Sequence, residues 1–192
     1  MCNRYIQELT FALDNTVVSN SDKDKCLLYD DGIELLLKTF SCHKTAGSQV
    51  FFIGNGGSAA IASHMTADFM KNGGMRTYSL YDNAIMTCIS NDYGYDQIFA
   101  KPLSMLGNYG DLLVAISSSG NSQNIVNAIH VAKEKHMFVI TFTGFKTDNQ
   151  SRCLGNLNVY VPCAEYGKVE SIHQIILQQI VDMILLRDGV EI

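Results

Sequence analysis

Apolar positions recur along this chain with two different spacings, and the texture changes at Val50. Before it, apolar residues return every three or four positions, the period of a helix with one buried face. Ile6, Leu9 and Leu13, with Tyr5 and Ala12 beside them, predict a short helix over 1–14. Ile33, Leu36, Leu37 and Phe40 predict another over 32–43, ended by Gly47 and Ser48. Residues 15–28 open with Asn15, Ser19, Asn20, Ser21 and Asp22 and read as a loop. Residues 1–47 are therefore expected to form an N-terminal helical hairpin, packed on the rest of the chain or on another subunit.

From Val50 onward, short apolar runs alternate with helical spacing. Strands are predicted at 50–53, 76–80, 112–116, 138–142 and 157–161. Helices are predicted at 58–72, 83–90, 95–106, 123–135 and 169–186, with a loop holding one helical turn over 143–156. The last helix is rich in Ile and Leu nearly all round, which predicts burial on several sides. Short, mostly apolar strands suit a parallel sheet covered on both faces. The expectation is one α/β domain over 1–192, its doubly wound, five-stranded parallel sheet lying within a core over 48–192. Such a sheet binds its ligand beyond the carboxyl ends of its strands.

Two of those strand ends carry the same grammar. Phe51-Phe52-Ile53 runs into Gly54-Asn55-Gly56-Gly57-Ser58 and then into a helix; Leu112 to Ile116 runs into Ser117-Ser118-Ser119-Gly120-Asn121-Ser122 and then into another. A helix start presents free N–H groups and the positive end of the helix dipole, an anion-binding arrangement. Hydroxyls and N–H groups without a lysine suit a phosphate monoester, although Asn121 or Ser122 can equally well be a plain helix cap. Neither loop is a nucleotide signature, since no GxGxxG follows the first strand and no GK[ST] is present. His64 and Asp68 stand four apart on one helix and share a face, and Glu170, His173, Gln174 and Gln178 recur at three and four along the last helix. A histidine and carboxylates converging from two helices can hold a divalent metal or move protons. For His64 this reading stands beside a plainer one, a partly buried, hydrogen-bonded histidine; for His173 the plainer one is taken. His43, His130 and His136 are expected to face solvent. Asn91-Asp92 can cap a helix or bind ligand hydroxyls.

Composition narrows the class without changing the picture. A net charge of −5 with no basic block argues against direct nucleic-acid binding. There is no N-terminal export pattern and no run of apolar residues long enough to span a membrane, so a cytoplasmic location is expected. The cysteines show no CxxC and no regular spacing, so no disulfide framework is expected.

The pair of loops is similar to that of the sugar isomerase (SIS) domain. Within that superfamily, Asn55-Gly56-Gly57-Ser58 with His64, then Asn91-Asp92-Tyr93-Gly94, then Ile116-Ser117-Ser118-Ser119-Gly120-Asn121-Ser122 resembles the phosphoheptose isomerases. The resemblance is collinear over roughly residues 30–186. It implies a flavodoxin-like fold, a homotetramer with active sites between subunits, and often a zinc ion. It implies interconversion of sedoheptulose 7-phosphate and D-glycero-D-manno-heptose 7-phosphate through an enediol, in bacterial surface-sugar synthesis (lipopolysaccharide or capsule). Carried over by position, phosphate binding falls on Ser117, Ser118, Ser119 and Ser122. Sugar contacts fall on Asn55, Gly56, Gly57, Asn91 and Asp92, with Ser58 closing the first loop. The metal and acid–base set falls on His64, Asp68, Glu170 and Gln178.

Three of those last positions depart from the family pattern, which has Glu at the place of Asp68, Gln at that of Glu170 and His at that of Gln178. Asp reaches about 1.5 Å less far than Glu, and an amide does not titrate near neutral pH. The new carboxylate of Glu170 offers a replacement base, so Asp68 or Glu170 is the expected proton acceptor. Two alternatives follow from the same departures: an isomerase of another phosphosugar, and a non-catalytic sugar-phosphate-binding regulator of the kind that binds a replication-initiation protein.

Overall fold

A computed structural model describes residues 2–20 and 26–189. Part of the expected 15–28 loop, including Ser21 and Asp22, lies outside the described residues. The elements in order are helix α1 (Cys2–Asp14), strands β1 (Val17–Asn20) and β2 (Cys26–Leu27), helix α2 (Tyr29–Ala46), strand β3 (Gln49–Gly54), helix α3 (Gly57–Lys71) and strand β4 (Arg76–Tyr78). Helix α4 (Asn83–Tyr93), a 3-10 turn (Tyr95–Gln97), helix α5 (Ala100–Leu106), strand β5 (Leu112–Ser117) and helix α6 (Gln123–Glu134) follow. Strand β6 (Phe138–Thr143), helix α7 (Gln150–Leu154), strand β7 (Leu157–Tyr160) and helix α8 (Tyr166–Arg187) complete the chain.

The sheet order is β2-β1-β7-β6-β5-β3-β4. The five strands from β3 onward are mutually parallel. Counted among themselves they run 2-1-3-4-5, the flavodoxin-like order, whose switch point falls between β3 and β5. Alternation along each strand divides the core between the two faces. Val50, Phe52, Leu112, Val114 and Ile116 pack against α2, α3 and α8. Phe51, Ile53, Leu113 and Ala115 pack against α5 and α6. Helix α8 is long and apolar enough to span a bilayer by length and composition. Its Val169, Ile172, Ile176 and Ile180 are instead buried in the first of these clusters, as a core helix's would be.

The N-terminal segment differs from its reading. The expected loop contains β1, which pairs antiparallel with β7 and with β2 and extends the five-stranded sheet to seven. A strand pair, not a turn, therefore joins α1 to α2. Helix α2 packs on α8 and β1, and α1 packs on α8. Lys168, almost fully buried, fixes α1 there through a 2.6 Å ion pair with Glu8, with Glu165 at 2.7 Å on its other side. His43 is half-buried, its Nδ1 3.1 Å from Ser48 Oγ, and burial lowers its pKa; His130 and His136 are exposed as expected.

Candidate active site

The switch point places the two loops side by side: Gly54, the last residue of β3, is level with Ile116, one residue before the end of β5. Between them lies a cleft of about 260 Å³. Asn55, Gly56, Gly57 and Ser58 form one wall, Ser117, Ser118, Ser119 and Ser122 the other, and Tyr166 and Glu170 from the start of α8 close it. No lysine or arginine is among its lining residues, so an anion there meets hydroxyls and helix-start N–H groups.

Each wall is shaped by local chemistry. Gly56 caps α3 with φ 56°, a left-handed conformation that disfavours any side chain with a Cβ. At Gly57 the approach is close: an added Cβ would lie 2.3 Å from Glu170 Oε2 and would push the carboxylate aside. The Glu170 carboxylate thus rests on the first residue of α3, where the helix dipole favours its charge, while burial raises its pKa above the ordinary glutamate range. The second helix start is that of α6. Ser122 occupies its N-cap but makes no side-chain cap bond, and the buried Ser118 Oγ has no hydrogen-bond partner. Hydroxyls left unpaired in a buried wall are poised for a ligand's oxygens.

The glycine loop is held from outside the cleft. Tyr81 Oη accepts from Gly54 N at 2.7 Å and donates to Gly54 O at 2.8 Å. Asn55 and Asn124 exchange two amide hydrogen bonds, and Tyr95 Oη donates to Asn55 Oδ1. Sequence reading did not single out Tyr81, Tyr95 or Asn124 as site residues, and their partners are far off in the chain. Tyr166 was also passed over, although its place four residues before Glu170 puts both on one face of α8.

The remaining expected residues do not join this cleft. Asn91 and Asp92 belong to the last turn of α4 rather than to a loop; Asn91 Nδ2 donates to Asp92 Oδ1 at 2.8 Å, and neither lines the cleft wall. His64 Nε2 lies 3.4 Å from Asp68 Oδ2, with the imidazole 56% exposed. Gln178 donates to Asp182 Oδ1 at 3.1 Å. Asp68 is three helical turns beyond Gly57, about 16 Å along the axis from where the Glu170 carboxylate sits. Among the described residues no three of His, Cys, Asp and Glu are grouped to hold a metal ion. Within one chain, then, His64, Asp68, Glu170 and Gln178 do not fit a common zinc ion. His173 is the core histidine the plain reading takes it for: fully buried, edge-on to Phe142, with Nε2 3.3 Å from Thr143 O and its pKa lowered to about 4 by burial.

Comparison with known proteins places this geometry. The SIS domain model matches residues 29–144. The phosphoheptose isomerase of Sodalis glossinidius is 35% identical over 184 residues, covering 93% of this chain and 91% of its own. That of Cytophaga hutchinsonii is 33% identical, covering 90% and 97%. Among solved structures, a phosphoheptose isomerase from Francisella tularensis superposes with a TM-score of 0.81 at 28% identity over 95% of each chain. One from Neisseria gonorrhoeae superposes with a TM-score of 0.76 at 30% identity, over 81% of this chain and 86% of its own. Two Gly/Ser loops at the switch point of a 2-1-3-4-5 sheet, over almost the full length of these relatives, make this chain a member of the SIS domain family, on its phosphoheptose isomerase branch.

Proposed function

We propose that this protein is an aldose–ketose isomerase that interconverts sedoheptulose 7-phosphate and D-glycero-D-manno-heptose 7-phosphate, acting in the cytoplasm. The observation that carries the reading is the division of the two helix starts: the Glu170 carboxylate rests on that of α3, and the serine loop opens that of α6. The phosphate binds at Ser117, Ser118, Ser119 and Ser122, and the chain of sugar carbons runs toward Asn55 and Glu170. Glu170 takes the proton from C1 of the ketose as the C2 oxygen gains one, giving the enediol. The proton returned to C2, with loss of the O1 proton, leaves the aldehyde. Burial displaces the Glu170 pKa upward, which makes the carboxylate a stronger base than an exposed one. Of the two expected bases Glu170 is preferred, because Asp68 stands apart from the cleft and is paired with His64.

The homotetramer implied by the resemblance accounts for the surface left over. Tyr78, Met105 and Leu106 are exposed together near the β4 edge, an apolar patch of the kind that marks a subunit contact. In that assembly the half-exposed His64–Asp68 pair and Gln178 would meet groups of a neighbouring subunit.

A turnover assay with sedoheptulose 7-phosphate, followed by the aldose formed and run with added zinc and with chelator, tests the reading. Turnover insensitive to chelation is expected. Turnover lost on chelation would return the metal set to the mechanism. Saturable stabilisation by the sugar phosphate without turnover would favour the regulator, a reading that the scattering of Asp68 and Gln178 away from the cleft supports.

A further inference from the structure

Asn124 lies on α6 behind the cleft wall, 3% exposed and not itself among the lining residues. It faces Asn55 as a closed amide pair: Asn55 Nδ2 donates to Asn124 Oδ1 at 2.9 Å, and Asn124 Nδ2 donates to Asn55 Oδ1 at 2.8 Å. Tyr95 Oη donates to the same Asn55 oxygen at 3.2 Å. A carboxamide oxygen has two acceptor positions and a carboxamide nitrogen two hydrogens. Both positions on Asn55 Oδ1 are taken, and one of its two N–H groups is used. What Asn55 has left for the cleft is a single N–H. An unpinned asparagine in the same place would turn over and offer either a donor or an acceptor.

We infer that Asn124 is a positioning residue for the sugar end of the site: it locks Asn55 as a donor, so that the cleft selects a substrate oxygen able to accept, a carbonyl or a hydroxyl lone pair. The inference rests on the sugar-phosphate reading above but adds a residue that does not touch the ligand. The arrangement is preorganised, because α6 is fixed through Ile125, Ala128 and Ile129 in the core and is tied to the Tyr95 loop by Asn127, whose Nδ2 donates to Asp96 O and Oδ2 at 3.1 Å. A donor fixed before the ligand arrives costs no reorganisation when charge develops on the carbonyl oxygen during enolisation.

The test uses two variants of near-equal size. Asn124→Leu removes both bonds; Asn124→Asp still accepts from Asn55 Nδ2 but sets an acceptor against Asn55 Oδ1. Each is measured for kcat/KM with sedoheptulose 7-phosphate and for competitive inhibition by inorganic phosphate, which reports the serine loop alone. Both variants are expected to lose about tenfold to a hundredfold in kcat/KM, the scale of a misplaced contact group, while the phosphate inhibition constant stays within about twofold. A kcat/KM close to wild type in both variants overturns the inference. So does a phosphate constant that weakens in step with kcat/KM, which would reduce Asn124 to a support of the loop fold. Tyr95 is exposed, so Tyr95→Phe keeps the test alive if the Asn124 variants fail to fold: a loss of about threefold in kcat/KM with phosphate inhibition retained supports the inference, and unchanged kcat/KM overturns it. If wild type shows no turnover, it is the isomerase reading that fails. The same split, read as thermal shift with sedoheptulose 7-phosphate against inorganic phosphate, then decides the role of Asn124.

Discussion

The two loops at the crest of the sheet are built from similar residues and held in opposite ways. The glycine loop is tied down by side chains from elsewhere in the fold: Tyr81 brackets both backbone groups of Gly54, Asn124 and Tyr95 saturate the Asn55 oxygen, and Gly57 lies under the Glu170 carboxylate. The serine loop is held by its backbone, with Gly144 N donating to Ser118 O and Ser151 N to Gly120 O, and at its far end by Asn121, which accepts from Gln150 N and donates to Ser119 O, while Ser118 Oγ and the Ser122 cap position are left open. A side chain whose hydrogen bonds are used within the protein can orient; one whose bonds are unmade can bind. The difference supports the proposal that gives the first loop to the chemistry and the second to the phosphate, and it can be broken from either side.

The largest effect is expected at Glu170. Glu170→Gln keeps the size of the side chain against Gly57 and removes its basicity. We expect kcat to fall by about a hundredfold or more, the range of general-base catalysis, with inorganic phosphate still inhibiting as in wild type. Steady-state kinetics settle this, and a variant that turns over at the wild-type rate would move the base elsewhere. The pH profile carries the same assignment. Because burial raises the Glu170 pKa and the base works unprotonated, kcat/KM of the wild type should fall, as pH is lowered, at a value above the ordinary glutamate range.

Next in size is the floor of the serine loop. Thr143, level with Ser117 on the neighbouring strand, accepts at its carbonyl from the buried His173. The histidine is neutral in the folded protein, with a pKa of about 4 against 6.5 for an unhindered side chain. Below pH 6.5 the unfolded chain binds a proton that the folded one refuses, so stability is complete above that value and is lost as pH falls toward 4. The difference amounts to about 3 kcal/mol. Denaturant unfolding at pH 7 and pH 4 measures it in wild type, and His173→Leu should flatten the part of the slope that belongs to this residue. An unchanged slope would show that His173 does not carry it.

Much of this arrangement was legible in the sequence, and what escaped did so for physical reasons. Strands such as Leu112–Ser117 announce themselves because both faces are covered and nearly every residue is apolar. The loops announce themselves because strand, turn and helix start are contiguous. Strand β1 has only Val17 and Val18 before it turns polar, and what makes it a strand is pairing with Leu157–Tyr160 at the far end of the chain. The same holds at the site. Asn124 meets Asn55 across 69 residues and Tyr81 meets Gly54 across 27, distances over which no periodicity runs. Helical spacing rightly placed His64 beside Asp68, yet it carries no information on how far that pair stands from Glu170.

Tyr81 offers a smaller test, confined to the glycine loop. Tyr81→Phe keeps the ring, which meets Phe99 edge-on at 5.6 Å, and removes the hydroxyl that pairs both Gly54 groups. An N–H and a carbonyl left without that partner cost about 1–3 kcal/mol. The unfolding midpoint should drop accordingly, and kcat should suffer more than phosphate inhibition, because the strand end that aims Asn55 is loosened. Equal loss in both would mean that the two loops act as one unit.

The smallest effect on stability, and the one that most directly separates a holding group from a binding one, belongs to Ser118. Its hydroxyl is buried without a partner, so Ser118→Ala removes a desolvated polar atom from the free protein and breaks no hydrogen bond. The unfolding free energy should stay within about 1 kcal/mol of wild type and is expected to rise if it moves. Phosphate affinity should nevertheless weaken by about tenfold, the contribution of one hydrogen bond to a charged oxygen. Isothermal titration with inorganic phosphate, set beside a melting curve of the free protein, reads both quantities from one preparation. Lower stability with unchanged phosphate binding would make Ser118 a structural residue and erase the contrast between the loops. Unchanged or higher stability with weakened binding is what an open hydroxyl, kept unpaired for a ligand, has to show.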